Sequence, residues 1–535
     1  MLRLAFLLGC ASIALAQPGS WGDQGDGTYK NPILNGDYPD VDIEQVGDTY
    51  YLITSTNHYA PGMTVLESKD LVNWTMIGHV FDKLDWNPAY NYDQMGEYSK
   101  GVWAGDIAYH EGKWFCYFID HSFGLYVSTA DDVRGPWSSA KLMLEKAQWT
   151  DPAVYWDEDE HQAYLIANFG TVKGDASGEN HQRMFKMSWD GLTLQDEGRD
   201  VYQGPGAEAA KIYKINGEFH IFLVEWIKND RLQLDMRGPT IYGPFERKVI
   251  MTRRDDLDRS TCQGALVEAK GKWWFTHQLV QNRSVGPDGM PGRTTAKSYE
   301  GRSQWLIPVT WERGWPVLGD GMYTVDSGVK PIDGYPIAAP QADDDFDSAS
   351  LGPQWQWNHN PRDDRWSLTE RPGWLRLKAN VPVNDGGFWN ASNTISQRII
   401  GEGGGVATAR IDFSGMAPGQ QAGFSHHSGK YITFGLKADA DGARYLVFNE
   451  DGVERVGPPI TTAVVYFRTD IHGDRATFSY RTGPEWKRFG PDFQLIFGKW
   501  RGDRIGFYSW NDKAAEGHID VDWFRYQYDG PNGGL

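Results

Sequence analysis

The sequence predicts an all-β protein, a five-bladed β-propeller followed by a β-sandwich, and three observations carry that prediction. First, a turn followed by an aromatic-rich strand recurs five times, as GDTYYLIT from Gly47, GKWFCYFI from Gly112, EHQAYLIA from Glu160, GEFHIFLV from Gly217 and GKWWFTHQ from Gly271. The spacings of 65, 48, 57 and 54 residues are close to the length of one four-stranded blade. Second, aromatic residues make up 14% of the 535, and apolar residues alternate along short segments while helical spacing is rare, as half-buried strands require. Third, the Pro-, Gly- and Asp-rich stretch GVKPIDGYPIAAPQADDD marks a border after the repeats.

Taken in order, residues 1–16 read as a secretory signal peptide, with Arg3, an apolar stretch from Leu4 to Leu15, and Ala14 and Ala16 ahead of Gln17. The run LLGC ending at Cys10 resembles a lipoprotein box, but only nine residues precede that Cys. No other segment approaches the roughly 18 apolar residues of a membrane span, so a secreted, extracellular protein with no membrane partner is expected. The net charge of -19 disfavours nucleic acid and anionic membranes and suits a neutral ligand. A monomer is expected. Asn73-Trp-Thr, Asn282-Arg-Ser and Asn390-Ala-Ser are glycosylation sequons. Cys116 and Cys262 read either as small buried thiols or as a disulfide, which export permits.

Residues 17–330 form the predicted propeller. After four of the repeats comes a second turn signal, SKDLVNW from Ser68, STADDVRGPW from Ser128, SWDGL from Ser188 and RGPTIYGPF from Arg237, whose Ser, Asp, Gly and Pro end strands. Two hairpins per unit give four strands. Six to nine residues before the turns stand Asp40, Asp106, Asp151, Glu208 and Gln263. As blades, the repeats would bring these to one axis, and carboxylates meeting in one pocket suit proton handling. Residues 331–342 are the predicted linker. Residues 343–535 give short alternating segments such as GVATARIDF, YITFGLKA and DRIGFYSW, of lengths that fit a two-sheet sandwich.

Individually the polar residues are ambiguous. Asp40, with Asp37 and Asp42 in NPILNGDYPDVDIE, follows Pro39, which extends the backbone before it; alternation sets Asp40 and Asp42 on one face, as a metal site, a solvated edge or a catalytic base. Asp151, between Trp149 and the apolar Ala153 to Tyr155, reads as an acid in an apolar setting or as a turn residue before Pro152. Glu208, in GPGAEAAKIYKING, has small neighbours on both sides. Burial among apolar or small groups raises a carboxyl pKa, as a proton donor near neutral pH requires. Trp103, Trp149, Trp226 and His58 are candidates to wall a sugar subsite, with blade packing as the competing role.

The blocks NPILNGDYPDVDI, GVWAGDIAYHEGKW, WTDPAVYWDED, GAEAAKIYKINGEF and GRSQWLIPVTWERGWPVL, in this order, resemble glycoside hydrolase family 43, the five-bladed propeller enzymes that remove terminal pentoses from plant cell-wall polysaccharides. The resemblance implies inversion at the anomeric carbon, with Asp40 as general base, Glu208 as general acid, and Asp151 as the acid that orients Glu208 and keeps it protonated. It further implies that Trp103 lines the sugar pocket, that Arg302 bonds a sugar hydroxyl, and that Gln263, where relatives often carry a His, orients a central water or ion. Departures from the family pattern fall at Val41-Asp42, Gly105 and Ala209-Ala210 and spare the functional groups.

The tail blocks DDFDSASLGPQWQWNHNP and HIDVDWFRYQY resemble the concanavalin-like sandwich attached to many β-xylosidases and arabinofuranosidases of this family. It would lend a loop to the pocket rim or bind polysaccharide by itself. Asp344, Asp345 and Asp520 are candidates for a structural Ca²⁺, with a solvated acidic face as the alternative; no cofactor is required. The implied activity is a secreted inverting exo-glycosidase, first an α-L-arabinofuranosidase on arabinoxylan side chains with some β-xylosidase activity, second a dedicated β-xylosidase on xylo-oligosaccharides. A non-catalytic sugar-binding propeller is the alternative from another class, and three retained acids argue against it.

Overall fold

The computed structural model describes residues 19–145, 149–170, 179–227, 230–257, 259–281, 298–385, 387–401 and 403–531. Residues 1–16, expected to be a signal peptide, and the Asn282 sequon lie outside the described residues. Among those described, the regular elements are strands and a few three-residue 3-10 turns.

Each aromatic repeat is the second strand of a sheet, entered through a hairpin. The first two strands are Asp42–Val46 and Thr49–Thr54, Val102–His110 and Lys113–Asp120, Trp149–Asp157 and Gln162–Phe169, and Glu208–Ile215 and Glu218–Ile227. In the fifth sheet, Arg259–Cys262 and Leu266–Ala269 both pair with Lys272–Gln281. Three of these hairpins close through two residues at positive φ, Glu111-Gly112, Asn216-Gly217 and Lys270-Gly271, the turn whose twist matches paired strands. First strands of successive sheets abut one another around a central axis.

The five repeats predicted five blades; among the described residues the propeller contains six sheets. The sixth has three short strands, Gly22–Asp23, Thr28–Lys30 and Ser327–Val329. The repeat missed it because its strands come from opposite ends of the propeller and carry no aromatic hairpin. Together with the bridge between Leu34 and Gln304, it ties the start of the propeller to its end.

The C-terminal sheets enclose a phenylalanine-rich core that includes Phe424, Phe434, Phe467, Phe507 and Phe524. One of them is completed by the propeller, because Tyr59–Ala60 pairs with Gln356–Asn358 as its edge strand. Arg398 Nε also donates to the Asp37 carbonyl at 2.6 Å. The two domains therefore share hydrogen-bonded backbone and a buried polar seam.

Several sequence expectations resolve here. Cys116 and Cys262 are buried and unpaired, so the disulfide reading is corrected. The carboxylates proposed to hold Ca²⁺ take protein donors: Asp344 accepts from Phe346 N and Trp355 Nε1, Asp345 pairs with Arg525, and Asp520 with Arg371 and Arg376. Asn73 is 7% exposed and its amide donates to Asp23 and Asp70, which leaves it unavailable to a glycan in the folded protein.

Candidate active site

The first strands share one irregularity. Pairing slips between Val102 and Gly105, between Thr150 and Ala153, and between Glu208 and Lys211. At or beside equivalent points the backbone turns left-handed, with φ of 56° at Asp40, 50° at Asp151, 60° at Ala209 and 50° at Gln263. A bulge re-aims a side chain, and positive φ in non-glycine residues is uncommon and gathers at functional sites. Here the result is one cavity of about 100 Å³ lined by Asp40, Asp151, Glu208 and Gln263, together with Trp103, Trp226 and Arg302.

Asp106 does not join them. It stands only six residues before its hairpin glycine, whereas Trp103, nine before, matches the offset of Asp151 and Glu208. Asp106 instead shares Lys211 with Asp42, at Nζ distances of 3.0 and 2.9 Å. Asp40 precedes the strand at a left-handed φ and lines the cavity, while Asp42, in the strand, meets Lys211 instead. Burial and the charge of Asp42 push Asp106 up, and Lys211 opposes them.

Two further candidates are corrected. His58 is fully buried at the domain seam, with Nε2 2.8 Å from Asn358 Oδ1, while Nδ1 accepts from Ser99 N at 3.2 Å and from Arg501 Nη1 at 2.9 Å. Burial and the Arg501 charge hold its pKa well below the usual histidine range, so it is a neutral interdomain acceptor rather than a pocket wall. Trp149 packs with Phe169 and Phe185, ring centroids 4.9 and 5.5 Å away, as part of a blade core.

Asp40 is held firmly. Ser55 Oγ donates to its Oδ2 at 2.9 Å, while Arg302 Nη1 and Gln278 Nε2 donate to Oδ1 at 2.7 and 3.2 Å. Arg302, assigned by resemblance to a sugar hydroxyl, therefore also braces a carboxylate. Among the described residues Glu208 accepts on one oxygen, with Trp226 Nε1 2.8 Å and Arg231 Nη2 2.6 Å from Oε1. Asp151 receives Gln263 Nε2 at 3.3 Å. A chain of amides links Asp40 to Asp151, since Gln278 Nε2 also donates to Gln263 Oε1 at 2.9 Å.

Burial, followed by the charges of Glu208 and Asp40, pushes Asp151 up to about 7. Folded, it keeps its proton to about pH 7; unfolded, only to about pH 4. Stability therefore falls as pH rises through that window. Asp151→Asn reduces the slope: in thermal melts from pH 4 to 8 its Tm matches the wild type at the acid end and exceeds it by about a few degrees at the alkaline end. Parallel curves would contradict this assignment of the proton.

Sequence reasoning missed Asn57, Ala104, Thr150, Arg231 and Trp500, which also line the cavity. Trp500 comes from the sandwich, on a loop where Lys499 and Trp500 have φ of 54° and 64°. Its carbonyl accepts from Arg302 Nη2 at 3.1 Å, and its ring lies 6.4 Å from that of Trp226. The sandwich thus contributes one wall of the pocket. No spacing could have flagged it, because Trp500 lies far along the chain from every other lining residue.

Comparison with known proteins agrees with this architecture. The family model for glycosyl hydrolases family 43 matches residues 29–316, and that for the β-xylosidase C-terminal concanavalin A-like domain matches residues 343–527. A β-xylosidase of Formosa agariphila is 51% identical over 97% of this chain and 93% of its own length. A non-reducing end α-L-arabinofuranosidase of Bacteroides ovatus, BoGH43B, is 28% identical over 79% of this chain and 76% of its own. The solved structure of a bifunctional GH43-CE protein of Bacteroides eggerthii superposes with a TM-score of 0.79 at 28% identity over 96% of this chain, which spans 64% of that longer protein.

Proposed function

This chain belongs to glycosyl hydrolases family 43 and is an inverting glycoside hydrolase, and from that premise we infer that it is an exo-acting β-xylosidase that releases xylose from the non-reducing ends of xylo-oligosaccharides. The observation that carries the substrate is the 51% identity to a β-xylosidase across 97% of the chain. The cavity is consistent with exo action: Trp103, Trp226 and the sandwich's Trp500 wall it together with the acids, and a small pocket of this kind suits a single terminal sugar. The leader at 1–16 supports export to where xylan fragments occur.

In this reading Asp40, ionised and paired with Arg302, takes a proton from water as the water oxygen bonds to the anomeric carbon. Glu208 gives its proton to the glycosidic oxygen, which leaves with the electrons of the broken bond. Such a single displacement needs the two carboxyls roughly 6.5–9.5 Å apart, with water between base and sugar. Asp151, itself pushed up to about 7 by burial and by the Glu208 and Asp40 charges, is coupled to Glu208, so that ionisation of one of these neighbouring acids opposes ionisation of the other.

The sequence alone favoured arabinofuranosidase; similarity to the Formosa agariphila β-xylosidase reverses that order. Arabinose release stays as the second reading because of the 28% identity to BoGH43B. Incubation of the purified protein with xylobiose and, separately, with arabinoxylan decides between them. Xylose from the first and no arabinose from the second is the expected result. Arabinose from arabinoxylan alone would overturn it, and sugar binding with no product from either would return the propeller to a lectin role.

A further inference from the structure

Two arginines line the cavity, and only Arg302 has been given a partner in the reaction. Arg231 lies on Asp230–Gly238, directly opposite Trp226 across the ladder. Its guanidinium carbon sits 3.9 Å over the Trp226 ring. Nη1 is 3.0 Å from Cys262 Sγ, a buried thiol that seats the far edge of the guanidinium without bringing another charge. Nη2 reaches Glu208 Oε1 at 2.6 Å, and Trp226 Nε1 reaches the same oxygen at 2.8 Å. The Arg231 side chain is 5% exposed, so this cation acts at short range with little solvent between.

An oxygen that already accepts two N–H groups, one of them from a cation, has no room for a proton of its own. The acidic hydrogen of Glu208 must therefore reside on Oε2. As it transfers, negative charge develops on a carboxyl already facing Asp151 and Asp40, and a fixed cation opposite is the arrangement that stabilises it. We propose that Arg231, backed by Trp226, is the positioning residue of the general acid: it pins Oε1 so that Oε2 presents the proton to the glycosidic oxygen, and it stabilises the carboxylate that forms. The Arg231–Trp226 stack sets the guanidinium plane, and a lysine would keep the charge but lose the flat two-sided grip.

This inference rests on Glu208 being the acid and Asp40 the base, and the test separates the two. Arg231→Met and Arg231→Lys are assayed with xylobiose, whose leaving group needs a proton, and with 2,4-dinitrophenyl β-D-xyloside, whose leaving group does not. Arg231→Met is expected to lose about 10²-fold in kcat on xylobiose and less than about fivefold on the aryl xyloside. Removing a cation beside the acids makes proton loss harder, so the alkaline limb of its xylobiose profile moves to higher pH. Arg231→Lys recovers part of the xylobiose rate. The ratio of the two rates is read on one sample and is independent of how much protein folds. Equal losses on both substrates, or an unmoved alkaline limb, would overturn the proposal. A wild type that cleaves neither substrate would strike the glycosidase reading itself instead.

Discussion

Asp40→Asn lowers kcat by roughly 10³-fold or more on every xyloside, activated or not, while the protein still folds. The uniformity follows from the step lost. Water must be deprotonated whatever group departs, so no leaving group escapes the requirement. Folding survives because the residue sits at φ 56°, where asparagine is among the best-tolerated residues. The amide oxygen can take the place of Oδ1, which now accepts from Arg302 at 2.7 Å, and the amide N–H can donate to Ser55 Oγ, which now donates to Oδ2 at 2.9 Å. Turnover of xylobiose and of the dinitrophenyl xyloside, with melting curves alongside, checks this. Near-normal rates on either substrate would remove Asp40 from the base role.

Glu208→Gln splits the two substrates. On xylobiose kcat falls by roughly 10³-fold, because the glycosidic oxygen must leave as an alkoxide. On the dinitrophenyl xyloside the loss stays within about tenfold, since that leaving group is stable as an anion. The alkaline limb of the activity profile disappears, because the group whose deprotonation produces it is gone. The side-chain carbonyl can still accept from Trp226 and Arg231, so geometry is retained. Equal losses on both substrates would mean that Glu208 shapes the pocket without donating a proton. Arg231 variants fall between wild type and Glu208→Gln, with the alkaline limb displaced where Glu208→Gln abolishes it.

Much of this site was legible because a repeat makes equivalent positions visible. Asp151 and Glu208 stand nine residues before their hairpin turns, and the structure brings both to one cavity with Asp40 and Gln263. The same count failed for Asp106, because an offset of six instead of nine residues moves a side chain to another depth on the axis, where Lys211 meets it. His58 was misread because the surface it faces is supplied by Asn358 and Arg501, remote in sequence. Trp500 and Arg231 left no signal at all. One depends on how the sandwich docks, and the other on a pairing register that places it opposite Trp226. The sixth sheet escaped for a related reason, since two- and three-residue strands carry too little alternation to be read.

The stereochemistry of the first product formed tests the two-carboxylate arrangement most directly. Proton NMR of xylobiose hydrolysis, recorded before mutarotation, is expected to show α-xylose appearing first from the β-linked substrate, as water delivered by Asp40 from the face opposite the Glu208 proton requires. Initial release of β-xylose would mean a double displacement through a covalent intermediate, and would contradict the pairing of these two residues across the sugar.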